Sequence, residues 1–228
     1  NVYFKKTEMI FPMCPRVSDE YKETKKREIA AAARRVFIRK GFAHAVMQDI
    51  MDEAGISRGA LYAYFDNLEH VFMEVLRYDD EELFRWTGRE LQSPVWGMLM
   101  KWLGEIEQDL MKLQHSLVRA RAEFFLSSAY VKDKKHYPYI RQRYENAVDA
   151  ISRVIRAGEE RGEFQPLQDA RSLAGYILSF LNGLMLDTYQ LGPDATWAEQ
   201  QLDVFRNILK LMLKPSSTDG YPDLSIGE

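Results

Sequence analysis

Apolar residues recur at helical spacing along almost the whole chain. Ile29, Ala33, Val36 and Phe37 fall at i, i+4, i+7 and i+8 and predict a helix over residues 21–40 with one buried face. Gly41 stands where a left-handed cap closes a helix, and Phe42 where an apolar residue packs back toward Phe37. Met47, Ile50, Met51 and Ala54 form the buried face of a short helix over 47–54. Gly55 suits the positive φ of a tight turn, and Ser57 is a strong N-cap for a helix over 58–65 with Leu61 and Phe65 inward. Further helices are predicted over 68–91, 95–113, 116–129, 139–161, 169–189 and 195–214, with a polar loop over 132–138. Sustained period-two alternation is absent from the pattern, so no strand is predicted. The expected fold is therefore all-α, with about nine helices.

Three helices in about 45 residues, the second and third joined by a turn of four residues or fewer, describe a helix-turn-helix. The start of the third helix suits a major groove. Arg58 has the donors for guanine O6 and N7; Gly59 and Ala60 are small enough for close approach, and Ala60 suits a thymine methyl. Tyr62 and Tyr64 suit phosphate oxygens, as do Lys25, Lys26 and Arg27 near the start of the first helix. The helix over 169–189 is apolar on more than one face, through Leu173, Ile177, Phe180, Leu181 and Leu184. Phe205, Ile208, Leu209 and Met212 stripe the last helix at i, i+3, i+4 and i+7. Helices apolar on both sides need a second partner, so these residues predict a homodimer through a two-fold four-helix interface.

Charge sharpens this picture. The net charge is −3 over 228 residues, but residues 1–67 hold 12 Lys and Arg against 9 Asp and Glu, a net of +3, and the remainder a net of −6. A basic head on an acidic body fits a DNA-binding domain joined to a part that does not touch DNA. The single cysteine, Cys14, allows no intrachain disulfide and is in keeping with a reducing cytoplasm. The longest apolar stretch, over 176–186, is interrupted by Ser179, Asn182 and Gly183, so no membrane span is predicted. His44, His70, His115 and His136 lack metal-ligand spacing, and no nucleophile arrangement or phosphate loop appears; no metal, cofactor or catalysis is expected.

The run Ala54-Gly55-Ile56-Ser57-Arg58-Gly59-Ala60-Leu61-Tyr62-Ala63-Tyr64-Phe65, with Ile29–Ala32, Phe37, Gly41-Phe42, Asp49-Ile50 and Glu69 around it, resembles the N-terminal signature of the tetracycline-repressor (TetR) family. A weaker likeness extends to about residue 213 through Ala157–Phe164, Asp169, Ala174 and Leu181–Leu184. The resemblance implies a ligand-responsive regulator, a repressor that leaves a palindromic double-stranded operator when a small-molecule effector binds. It implies a DNA-binding domain over 21–67 and an effector-binding and dimerisation domain over 68–214; residues 1–20, whose start has no helical period, are expected to be an N-terminal extension, and residues 215–228, rich in Ser, Pro, Gly and Asp, a frayed tail. DNA contacts are expected at Lys25, Lys26, Arg27, His44, Ser57, Arg58, Gly59, Ala60, Tyr62 and Tyr64. An effector pocket is expected in the second domain, lined by Trp102, Phe125, Tyr144 and Asn182, with Arg119, Arg121 and Glu123 as polar anchors. Such a pocket suits a flat or apolar ligand, a cation included. The helix over 69–91 is the expected lever between pocket and head. The chain departs from the family pattern at Leu68, usually Lys, at Ala45 and Val46, usually Ser or Thr, and at Met51, usually small. An activator, a protein–protein regulator on the same fold and a helical enzyme are the competing readings.

Overall fold

The structure, a computed structural model, describes residues 18–83 and 94–216. Ten α-helices lie among them and no strand: α1 (Asp19–Lys40), α2 (Met47–Ala54), α3 (Arg58–Tyr62), α4 (Leu68–Leu83), α5 (Val95–Leu110), α6 (Val118–Phe125), α7 (Ser128–Lys132), α8 (Pro138–Glu160), α9 (Ala170–Leu191) and α10 (Ala198–Leu213). The stretch over 84–91 expected to continue α4, Trp86 within it, and nearly all of the expected extension and tail lie outside the described residues.

Local chemistry sets most boundaries. Ser18 Oγ accepts the Tyr21 N–H at 3.2 Å, so α1 starts before the expected residue 21. Its acidic first turn and basic last turn match the helix dipole. Gly41 closes α1 at φ 77°, its N–H bonded to the Phe37 carbonyl, and Phe42 folds back until its ring centroid lies 6.0 Å from that of Phe37. With ψ at 177°, Gly41 leaves the helix extended and not in the left-handed helical region expected of it. Gly55, at φ 64° and ψ 36°, is left-handed. Val46 offers no side-chain cap to α2; Asp49 takes that part, accepting the Val46 N–H at 3.0 Å and the Lys40 ammonium at 2.6 Å. Lys40, opposed by partial burial and aided by the Val46 N–H, holds the Asp49 carboxyl below the usual carboxylate range. The single helix expected over 116–129 is two, because Ser127 starts a new helix by accepting the Tyr130 N–H.

The apolar packing does not divide at residue 67. One core joins α1 to α4 with Leu117, Ala120 and Phe124 from the region of α6. The other joins α5, α8, α9 and α10. That second core overturns part of the expected dimer interface. Leu173, Ile177, Leu184, Phe205 and Leu209 are at most 4% exposed within the subunit, leaving almost no surface for a partner. The second apolar side of α9 is met inside the same chain. Phe180, Ile208 and Met212 keep partial exposure, Phe180 stacked on Phe205 at 4.2 Å.

The turn after α8 is built on Gly158. Its carbonyl accepts from the N–H groups of Glu163 and Phe164, and Phe164 seats its ring on the glycine. A Cβ at residue 158 would lie 2.2 Å from that ring. Alanine is favoured in a helix by about 1 kcal/mol, but the overlap outweighs this. Gly158→Ala is expected to destabilise the protein by about 2 kcal/mol and lower Tm by several degrees in a thermal melt. A raised Tm would show that Phe164 has room to move.

Candidate functional site: nucleic-acid interface and internal cavity

α3 is short and held rigidly from behind. Ser57 Oγ accepts the Ala60 N–H at 3.3 Å, and Leu61 is fully buried under the helix. The opposite side is open: Ser57, Arg58, Gly59, Ala60 and Tyr62 are all exposed. Nothing lies within 4 Å of where a Gly59 Cβ would be, so a base edge has free access there. The Arg58 guanidinium lies 5.3 Å over the Tyr62 ring, which steadies a long side chain while leaving its donors outward. Tyr64 is half-buried against the head core, and His44 is exposed beside the start of α2. Ala45, where the family carries a hydroxyl, is buried in the head core.

The three cations expected on α1 separate. Lys25 pairs with Glu28 at 2.6 Å; an exposed pair of this kind yields easily to a phosphate. Lys26 is half-buried. Arg27 is turned onto α4, its guanidinium 4.5 Å over the Tyr78 ring and 3.3 Å from Glu81. The Arg27 side chain remains exposed, so this pair, like that of Lys25, yields easily to a phosphate.

A cavity of about 720 Å³ lies among α5, α6, α8 and α9. Trp102, Ile106, Leu117, Val118, Leu181 and Met185 supply apolar wall, and Arg121, Arg143, Tyr144 and Asn182 polar wall. Trp102, Arg121, Tyr144 and Asn182, expected to line a pocket, are brought together here. Arg119, Glu123 and Phe125 are not on this wall. Phe125 packs against Phe124 and Tyr130. Arg119 holds Glu123 at 2.7 Å, and Glu123 accepts the Ala43 N–H at 2.9 Å, so this pair ties α6 to the turn after α1. The reason is helical period: residues 119 and 123 share one face of α6, while 118 and 121 share another. Burial pushes the Glu123 pKa up, but the N–H groups of Ala43 and Phe42 and the Arg119 guanidinium outweigh it and hold the carboxyl below its ordinary value. The stabilisation this provides is complete above the ordinary carboxylate pKa and is lost as pH falls through the depressed folded value.

Two cavity residues come from unexpected places. Arg34 belongs to α1 and Asp79 to α4, and they pair at 3.1 Å on the cavity wall. Next to them Arg143 of α8 pairs with Asp80 of α4 at 2.6 Å, and Tyr139 donates to Asp80 at 3.2 Å. These partners lie 45 to 63 residues apart in the sequence and belong to no local motif, so spacing gave no signal for them.

Residues 29–75 match the family model described as bacterial regulatory proteins, tetR family, and residues 98–199 the model described as tetracyclin repressor-like, C-terminal domain. The chain is 30% identical over 174 residues to an uncharacterised HTH-type transcriptional regulator of Bacillus subtilis, YfiR, covering 76% of this chain and 84% of that protein. The chain belongs to the TetR family. A Pseudomonas putida member, the HTH-type transcriptional regulator TtgR, is 23% identical over 205 residues, 85% of this chain and 97% of its own. The crystal structure of a TetR-family regulator from Pectobacterium atrosepticum superposes with a TM-score of 0.66 at 21% identity, covering 87% of this chain and all of that one. As in that family, the α2–turn–α3 unit is a DNA-binding helix-turn-helix and the protein is a transcriptional regulator. Among the described residues no helix is long and apolar enough to cross a membrane, and no cluster of side chains is suited to a metal.

Gly41 and Gly55 differ in backbone as well as in contacts: Gly41 at φ 77° and ψ 177° lies in a region open essentially to glycine, while Gly55 at φ 64° and ψ 36° is left-handed helical. Both Gly41 and Gly55 have positive φ, but a Cβ at residue 41 would lie 2.3 Å from Glu123 Oε2, while nothing lies within 4 Å of one at 55. Gly55→Ala is expected to cost about 1–2 kcal/mol. Gly41→Ala should cost about 3 kcal/mol, since its backbone is the more restrictive for a side chain and its Cβ also displaces the carboxylate. Equal losses in denaturant titrations of the two variants would mean that the turn at 41 relaxes and Glu123 moves aside.

Proposed function

We propose that this TetR-family chain works as a homodimeric repressor: two α3 helices enter successive major grooves of a two-fold operator, and a small molecule in the cavity releases them. The observation that carries the reading is the exposed Arg58–Gly59–Ala60 edge of α3 on a fully buried Leu61 anchor. Arg58 reads a base, and Tyr62, Lys25 and Ser57 meet the backbone. A cytoplasmic location belongs to the same reading.

The dimer surface is redrawn from the one expected. Apart from Leu191 at the end of α9, the exposed large apolar residues on α9 and α10 are Tyr176, Val204 and Leu211, with half-exposed Phe180, Ile208 and Met212 beside them. Tyr176, Phe180 and Gly183 follow at i, i+4 and i+7, and Val204, Ile208 and Leu211 repeat that spacing. Gly183 has nothing within 4 Å of its Cβ position, which leaves space for a second α9 to approach closely. By linkage, an effector that weakens operator binding is itself weakened by operator to the same factor.

Selection from randomised duplexes should yield a two-fold site bound in the nanomolar range. Arg58→Ala should cost about 1–3 kcal/mol and relax selectivity at one base pair in each half-site. Lys25→Ala should weaken all sequences alike and lower the salt slope by about one. The failure of any sequence to be enriched would overturn the reading. Val204→Glu with Leu211→Glu should convert the dimer to a folded monomer in sedimentation and abolish tight operator binding. A dimer that persists in that double variant places the interface elsewhere.

A further inference from the structure

Arg121 is the one cavity-wall arginine without a carboxylate of its own. Arg34 is held by Asp79 and Arg143 by Asp80, but among the described residues Arg121 makes no hydrogen bond and no ion pair. Its surroundings contain Arg34, Arg143, Asp79 and Asp80, so the cluster carries one positive charge in excess. Burial first, and then the nearness of Arg143, disfavours the charged form and lowers the Arg121 pKa from its usual value. A guanidinium nonetheless stays protonated in proteins. The structure therefore holds an uncompensated, largely buried cation at the edge of a large cavity, which is a costly arrangement unless something neutralises it. The opposite walls are apolar, with Trp102, Leu181 and Met185 facing the same space. Glu105 and Asp109, also on the wall, are exposed to solvent, as is Lys112 beside them.

We infer that the cavity takes an amphipathic organic anion, its carboxylate or sulfonate paired with Arg121 and its apolar body against Trp102, Leu181 and Met185. This rests on the reading of the cavity as the effector site and names the class of effector. Aromatic walls by themselves accept a cation, as expected from the sequence; the excess positive charge turns the preference to an anion. It also gives the ligand a direct route to the head. Arg34 of α1 lies on the same wall, so an anion at Arg121 competes with Asp79 of α4 for Arg34 and loosens the α1–α4 seam.

The test uses two fluorescent probes that differ by one charged group, 8-anilinonaphthalene-1-sulfonate and uncharged N-phenyl-1-naphthylamine, titrated into the full chain without DNA. Wild type should bind the sulfonate at least about tenfold more tightly. Arg121→Met should remove that preference, keep the affinity for the neutral probe and melt no lower than wild type, since it removes an uncompensated charge. Arg121→Lys, which keeps the charge, should retain part of the preference and serves if Arg121→Met does not fold. Equal binding of the two probes by wild type, or a preference that survives Arg121→Met, would overturn the assignment. Operator selection on the same wild-type preparation keeps the two readings apart: its failure sinks the repressor and leaves the probe preference standing, and the reverse result sinks only the anion.

Discussion

Phe37 and Phe42 at the end of α1 both meet Phe72 on α4, and Phe42 and Phe72 both meet Phe124 on α6, with ring centroids 4.9 to 5.3 Å apart in these pairs, and the rest of the molecule depends on that junction. A three-helix head of this size buries too little apolar surface to be robust alone. Here it completes its core with side chains from α4 and α6. Edge-on and tilted ring contacts of this kind are directional as well as apolar. The junction therefore sets where the head sits on the body, in addition to holding it there.

Because Phe124 is committed to that junction, the register of α6 is set, and each remaining face of this short helix gains a distinct neighbour. Ala120 and Phe124 enter the head core. Arg119 and Glu123 clasp the turn at Gly41–Ala43. Val118 and Arg121 line the cavity. A change on the cavity side is thus one helix away from the head. The lever expected from the sequence was the helix starting at Leu68. That helix does join the two parts, through Asp79 to Arg34 and Asp80 to Arg143, but α6 touches the head without an intermediary.

The two kinds of contact answer differently to a ligand. Close-packed rings resist gradual deformation. Ion pairs between partly exposed groups rearrange at small cost and respond to charge nearby. The head is held by the first kind at Phe124 and by the second along the α1–α4 seam, where Arg34 of α1 meets Asp79 and Glu23 of α1 meets Arg77 and Tyr78. A charged ligand would act on the seam while the aromatic junction serves as the pivot.

How much of this was legible depended on whether the physical cause was local. Helical period placed the long helices, and Ser57, Gly55 and the fold-back of Phe42 follow from chemistry within a few residues. The exposed edge of α3 was legible for the same reason. Where a local competitor was overlooked, the reading failed by a short distance: Ser127 splits a helix and Ser18 starts one early. The cavity was only half legible. Trp102, Tyr144 and Asn182 were found on its wall, but Glu123 was assigned to the wrong face, and Arg34 and Asp79 were not anticipated. The dimer stripe shows the limit most clearly. An apolar residue at a helical repeat must be covered, but the pattern does not say by what, and Ile177, Phe205 and Leu209 are covered by their own chain. The sequence by itself thus determined the elements, the helix-turn-helix and its family, since those rest on period, caps and turns. Only the tertiary structure decided which charges face one another, because charge pairing across helices is a matter of distance in space and leaves no trace in spacing along the chain.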